Sequence, residues 1–214
     1  MIVQCISNKK NKYITLDKCY PIFSGEYQLI DSESVFESYR IIDDMGNLSV
    51  YEATDFTVIH NDFSNYEIVA YNNINEFTHN DINYVNFYED YYNDIPDAVV
   101  RLKKTAVRIY QSDCSKDELV KFICNETYST DEKCFVLEAV SEKIVESDIT
   151  TLILYFSEEK LSQDIELAEE FLCLLSKYKN ENVYQYFLDY FSVHVGENTE
   201  IDQIISTYFD EYYL

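Results

Sequence analysis

Tyr39-Arg-Ile-Ile-Asp-Asp-Met-Gly-Asn-Leu-Ser-Val-Tyr51 reads as two short strands folded back on one tight turn. Residues 39–42 and 48–51 alternate in the two-residue period of a strand, and Gly46 supplies the positive φ that such a turn requires. Outward from this hairpin, residues 1–6, 13–16, 27–30 and 36–42 precede it as β-rich stretches, and 56–59 and 66–70 follow it. Each is short and bounded by Lys, Asn, Ser or Gly. Short strands at this spacing predict a small antiparallel, barrel-like module over residues 1–71.

Beyond it the period changes. Residues 72–96 are rich in Asn, Asp and Tyr and carry no regular pattern, so they are expected to be a linker or binding loop. Pro96 closes that stretch, because the residue before a proline is pushed away from helix. From residue 97 apolar side chains recur at three and four. Val99, Leu102, Ala106 and Ile109 share one face, as do Ile165, Ala168, Leu172 and Leu175, and then Val183, Phe187 and Tyr190. Ser115-Lys-Asp-Glu118 and Ser129-Thr-Asp-Glu132 have the spacing of capping boxes. Six or seven helices are expected over 97–214, packed as a bundle or a short α-solenoid. The fold class expected is α+β.

The charge is gathered rather than spread. Between residues 41 and 100 there are twelve carboxylates and no lysine or arginine, and 180–214 adds seven more with no base, against a formal net charge of −24. A local negative field of that kind selects basic partners and repels nucleic acid and anionic membranes. The chain is 47% hydrophobic and 16% aromatic, too apolar for a disordered acidic tail. It has three Gly and two Pro, so its turns must be made by Asn, Asp and Ser. No apolar run reaches the length of a membrane span, and the first residues lack the basic start of a secretion signal. Cys5, Cys19, Cys114, Cys124, Cys134 and Cys173 form no C-x-x-C pair, and they read as thiols in a reducing cytoplasm.

Tyr84, Tyr88, Glu89, Asp90, Tyr91, Tyr92 and Asp94 are the candidate partner-binding residues, because this run interleaves aromatics with carboxylates. Tyrosine supplies contact area at low rotamer cost, and carboxylates beside it would meet Lys or Arg. The other reading is a solvated linker whose aromatics pack back onto the β module. A second candidate is an apolar groove near Tyr208, Phe209, Tyr212 and Tyr213. His60-Asn-Asp62 and His79-Asn-Asp81 each put an imidazole two residues from a carboxylate, but no third metal ligand accompanies either. With no G-x-S-x-G, Gly-rich phosphate loop or H-E-x-x-H, no catalytic centre, metal or cofactor is expected. Arg101, Lys103, Lys104 and Arg108 form the basic cluster, expected to pair with the neighbouring acidic segment.

The opening Met1-Ile-Val-Gln-Cys-Ile-Ser-Asn, the Y-x-I-x-D-D-x-G run from Tyr39 to Gly46, and Tyr51-Glu-Ala-Thr-Asp-Phe56 resemble the SH3-like β module of bacterial immunity proteins encoded beside polymorphic toxins. The likeness spans about the first 60 residues. It implies a cytoplasmic, non-enzymatic protein that binds and neutralises a basic toxin, a nuclease among the candidates, and it carries over no site residue. The alternative is a viral or phage accessory protein, structural or counter-defence, that binds a host protein.

Overall fold

A computed structural model describes residues 1–212 as two compact units, one running from Met1 to Cys114 and the other from Ser115 onward. The first unit is built on strands β1 (Ile2–Cys5), β2 (Cys19–Pro21), β3 (Ser24–Ile30), β4 (Glu33–Ile42), β5 (Leu48–Glu52), β6 (Phe56–His60), β7 (Tyr66–Tyr71) and β8 (Ile74–His79). They form two antiparallel sheets, ordered β2-β1-β6 and β5-β4-β3-β8-β7. Neither closes on itself. The two share one core, where Val3, Tyr20, Tyr27, Tyr39, Phe56 and Phe77 are buried together and Phe36 and Phe63 pack against them.

The hairpin of residues 39–51 is β4 and β5, with Ile42 opposite Leu48. Both aspartates of its turn are fastened. Asp43 accepts the amides of Met45 and Asn47 and, at 2.8 Å, the Tyr51 hydroxyl. Asp44 accepts the Lys18 ammonium at 2.7 Å, the Tyr20 hydroxyl at 2.8 Å and the Thr15 hydroxyl at 2.7 Å. This explains why residues 13–16, expected as a strand, form turns instead: their polar groups face the hairpin, and the Thr15 amide donates to Tyr20 Oη. Left-handed turn positions fall on Asp17, Asp31, Ser32, Asn72, Asn86 and Asp94, as the scarcity of glycine required.

Residues 72–96 are not a plain linker. Asn72 and Asn73 make a two-residue turn between β7 and β8, and β8 then lies inside the larger sheet between β7 and β3. A 3-10 turn at Asn80–Ile82 follows, then a short helix α1 (Phe87–Tyr92). Pro96 stands at the first position of α2 (Pro96–Asp113), where its missing N–H costs nothing. This helix belongs to the first unit, packing against α1, the 80–82 turn, β1 and β2. The helix-rich part therefore divides at Cys114 and not at residue 97. At the other end of the unit, the Met1 ammonium is fully buried in an ion pair with Asp113 and donates to Tyr66 Oη at 3.0 Å.

The second unit contains α3 (Lys116–Ile123), α4 (Thr130–Val140), α5 (Glu146–Tyr155), α6 (Glu158–Leu161), α7 (Ile165–Leu175), α8 (Glu181–His194) and α9 (Thr199–Tyr212). Both capping boxes form, at Ser115 with Glu118 and Ser129 with Glu132. Asp164 and Asn180 cap α7 and α8. Helix α7 packs against α4, α6 and α9, and α5 packs against α8. Leu137, Leu152, Phe171, Leu172, Phe187 and Ile205 fill the interior.

Tyrosine pins this interior to the backbone. Tyr186 donates to the Phe156 carbonyl at 2.7 Å, Tyr178 to Ile144 at 3.1 Å and Tyr208 to Tyr178 at 3.2 Å. Tyr66 does the same in the first unit, donating to Ile22 at 2.7 Å. A buried phenol with its hydroxyl on a carbonyl satisfies both halves of an amphipathic side chain.

Candidate functional site

The run from Tyr84 to Asp94 folds as a tyrosine clamp on the larger sheet. Asn86, at φ 70°, turns the chain into α1, and buried Phe87 anchors the helix. Tyr88 donates to Ser24 Oγ at 2.8 Å, and its ring covers the Arg40 guanidinium at 4.0 Å. Arg40 reaches Tyr92 Oη at 3.4 Å, and Tyr92 donates to the Leu48 carbonyl at 2.7 Å. Tyr88 and Tyr92 are thus tied to β3, β4 and β5. Tyr84 lies with its ring 5.3 Å from the Arg101 guanidinium. Tyr91 is half-buried against Phe87 and Tyr92, and burial pushes its phenol above the usual range. Glu89 and Asp94 stay exposed, and Asp90 is half-buried.

Beside this clamp lies a feature that local sequence did not show. On the outer face of the sheet Glu26 stands directly opposite Glu76 on one side and Ser38 on the other. Directly opposite residues have Cβ atoms about 5 Å apart, and like charges at that spacing are unfavourable. A shallow depression of about 140 Å³ is lined here by Glu26, Ser38, Arg40, Glu76, Thr78 and Tyr88. Gly25 is required at its floor, because a Cβ there would sit 2.4 Å from the Ser38 carbonyl oxygen and 2.6 Å from the Phe77 ring. The cation of this face, Arg40, is held under Tyr88. The missed signal was the Asn72–Asn73 pair, a two-residue hairpin turn that announces β8 and with it the outward position of Glu76.

Two members of the basic cluster on α2, Arg101 and Arg108, are turned to internal use. Arg101 donates to the Asp81 carbonyl at 3.2 Å and Arg108 pairs with the Asp81 carboxylate at 2.5 Å, which docks the 80–82 turn on the helix. His79, buried in front of that turn, accepts the Asp81 amide at Nδ1 over 3.3 Å, so its lone pair caps the turn. Burial lowers its pKa, with the Asp81 carboxylate opposing the shift.

The residues expected at an apolar groove near the C-terminus are placed as follows. Tyr208 is buried, 4.5 Å from Phe187, and serves the core. Phe209 and Tyr212 lie against Tyr184, and Tyr213 falls outside the described residues. No protein-family model, curated protein or solved structure matches this chain.

Proposed function

We propose that this chain is a non-enzymatic immunity or inhibitor protein that captures a basic protein, a nuclease toxin among the candidates, on the outer face of its five-stranded sheet and the exposed side of α1. The observation that carries the reading is the in-register opposition of Glu26 and Glu76 on an open face. In the isolated chain that pairing is a cost. A partner's Lys or Arg placed between the two carboxylates turns it into an attraction, and Glu89 on the adjoining helix and Asp94 in the turn after it extend the negative surface. On this reading the two sheets sharing one core act as a barrel-like module. The chain works in the cytoplasm, a reading supported by the lack of a disulfide among the described cysteines.

The test is association kinetics with the protein that co-purifies from the native cell, at two salt concentrations. Rim charges act mainly on the on-rate, because exposed charges are screened within ~8 Å at physiological ionic strength. Glu26→Lys with Glu76→Lys is expected to slow association about tenfold or more at low salt, and added salt to narrow the gap. An on-rate indifferent to both would overturn the proposal.

A further inference from the structure

The larger sheet has two edges, β5 and β7, and they are treated differently. At β5 the Leu48 carbonyl is already taken by Tyr92. At β7 five of the six residues are exposed, among them Ile68, Val69 and Tyr71. Edge strands are ordinarily blunted by Lys, Pro or a bulge, since unpaired backbone groups attract other strands. Residues 66–71, Tyr-Glu-Ile-Val-Ala-Tyr, contain neither Lys nor Pro, and their pairing with β8 runs without a register shift. The smaller sheet differs: the pairing of its edge strand β6 with β1 carries a register shift.

The register also says which backbone groups are open. Tyr71 and Ile74 flank the two-residue turn, so they form a hydrogen-bonded pair, and alternation makes Val69 and Glu67 the next residues bonded to β8. Ile68 and Ala70 then direct their N–H and C=O groups away from the sheet. Glu67 and Val69 stand on the same outer face as Glu76 and Glu26: Val69, Glu76 and Glu26 lie in one line across successive strands, and Glu67, which accepts the Asn83 side-chain amide at 2.6 Å, stands opposite Thr78 and diagonal to Glu76.

We propose that β7 is the docking edge for an extended strand of the basic partner. The strand is held by the outward amides and carbonyls of Ile68 and Ala70, with alternate Lys or Arg side chains laid over Glu67 and toward Glu76. Strands lie about 4.8 Å apart, so Glu76 is within about 10 Å of the added strand, a span that a lysine and a glutamate side chain bridge together. A second copy of this chain is the poorer occupant, because each copy carries a net charge of −24 and would bring carboxylates to carboxylates. This inference rests on the basic-partner reading above and deepens it by naming the mode of recognition.

The probe is a synthetic ten-residue peptide alternating Lys and Val, with Glu/Val and Gln/Val peptides of the same length for comparison, added to the full chain. Amide hydrogen exchange is read residue by residue. The Lys/Val peptide is expected to slow exchange at Ile68 and Ala70 and to bind about tenfold or more tighter than the Gln/Val peptide, with no effect from the Glu/Val peptide. Ala70→Pro removes an outward donor while leaving the β8 ladder intact, and should abolish the protection with the melting temperature unchanged. If Ala70→Pro does not fold, Glu67→Lys with Val69→Lys blunts the same edge from exposed positions and should do the same. Binding of the Lys/Val peptide with protection elsewhere would overturn the edge and leave the basic-partner reading standing. Equal binding of Lys/Val and Gln/Val peptides at β7 would keep the edge as a docking strand and overturn its charge selection. No binding by any peptide, or a dimer of the chain paired through β7, would overturn the proposal outright.

Discussion

Asp44 shows how a residue of a turn decides the fold of a distant loop. Its carboxylate gathers the Lys18 ammonium, the Tyr20 hydroxyl and the Thr15 hydroxyl, and the Lys18 side chain is only 1% exposed. Asp44→Ala takes the carboxylate away from a buried ammonium, a loss that typically costs about 3–5 kcal/mol. Urea unfolding of the variant should show it, with the midpoint falling and the slope unchanged. His79 gives a pH signature instead. Its pKa is lowered in the fold by burial, so between the folded value and the ordinary value near 6.5 the unfolded chain binds more protons. The stability it contributes is present above about pH 6.5 and is lost as pH falls toward the folded pKa. Comparing urea melts at pH 7.5 and 5.5 for wild type and His79→Asn isolates this from the general effect of neutralising carboxylates. The asparagine oxygen keeps the acceptor for the Asp81 amide, and the acid-side loss should shrink relative to wild type.

At the scale of elements, what the sequence made legible was local. The hairpin of 39–51 and the capping boxes at Ser115 and Ser129 stand where their spacing put them, because turn chemistry and caps are read over four or five residues. What it hid was long-range. The strand β8 and helix α1 lie in a segment whose Asn and Tyr content masks any period, and β2 is only three residues long. The candidate residues Tyr88 and Tyr92 were identifiable as aromatic anchors, but not their use, since Arg40 under Tyr88 depends on pairing between residues 48 positions apart in the chain. The opposition of Glu26 and Glu76 depends likewise on β3 meeting β8. The turn between β3 and β4 offers a direct test of how the chain manages without glycine. Asp31 and Ser32 hold φ of 51° and 70°. Left-handed backbone costs about 1–2 kcal/mol for residues with a side chain, somewhat less for Asp, so Ser32→Gly should stabilise the first unit by about 1 kcal/mol in chemical denaturation.

At the scale of the molecule, two units each have their own buried interior, and the acidic block of residues 41–100 falls wholly within the first. The proposed contact surface therefore asks nothing of the helical unit. A fragment of residues 1–114 is expected to melt cooperatively with β-type circular dichroism and to keep the binding kinetics of the full chain. Loss of partner binding in a folded fragment would assign the contact to the helices instead.

The ion pair between the Met1 ammonium and Asp113 brings the start of the first unit against the last turn of its final helix. The unit is thus nearly a ring, opened at one point. Units whose ends meet in this way can be rejoined there and cut elsewhere with their packing kept. A circular permutant opened in the exposed Asp31–Ser32 turn would keep every strand pairing and forfeit the buried ammonium. Its stability relative to the parent combines the loss of that charge with the relief of the left-handed Asp31–Ser32 turn, and the Ser32→Gly parent supplies the reference for the second.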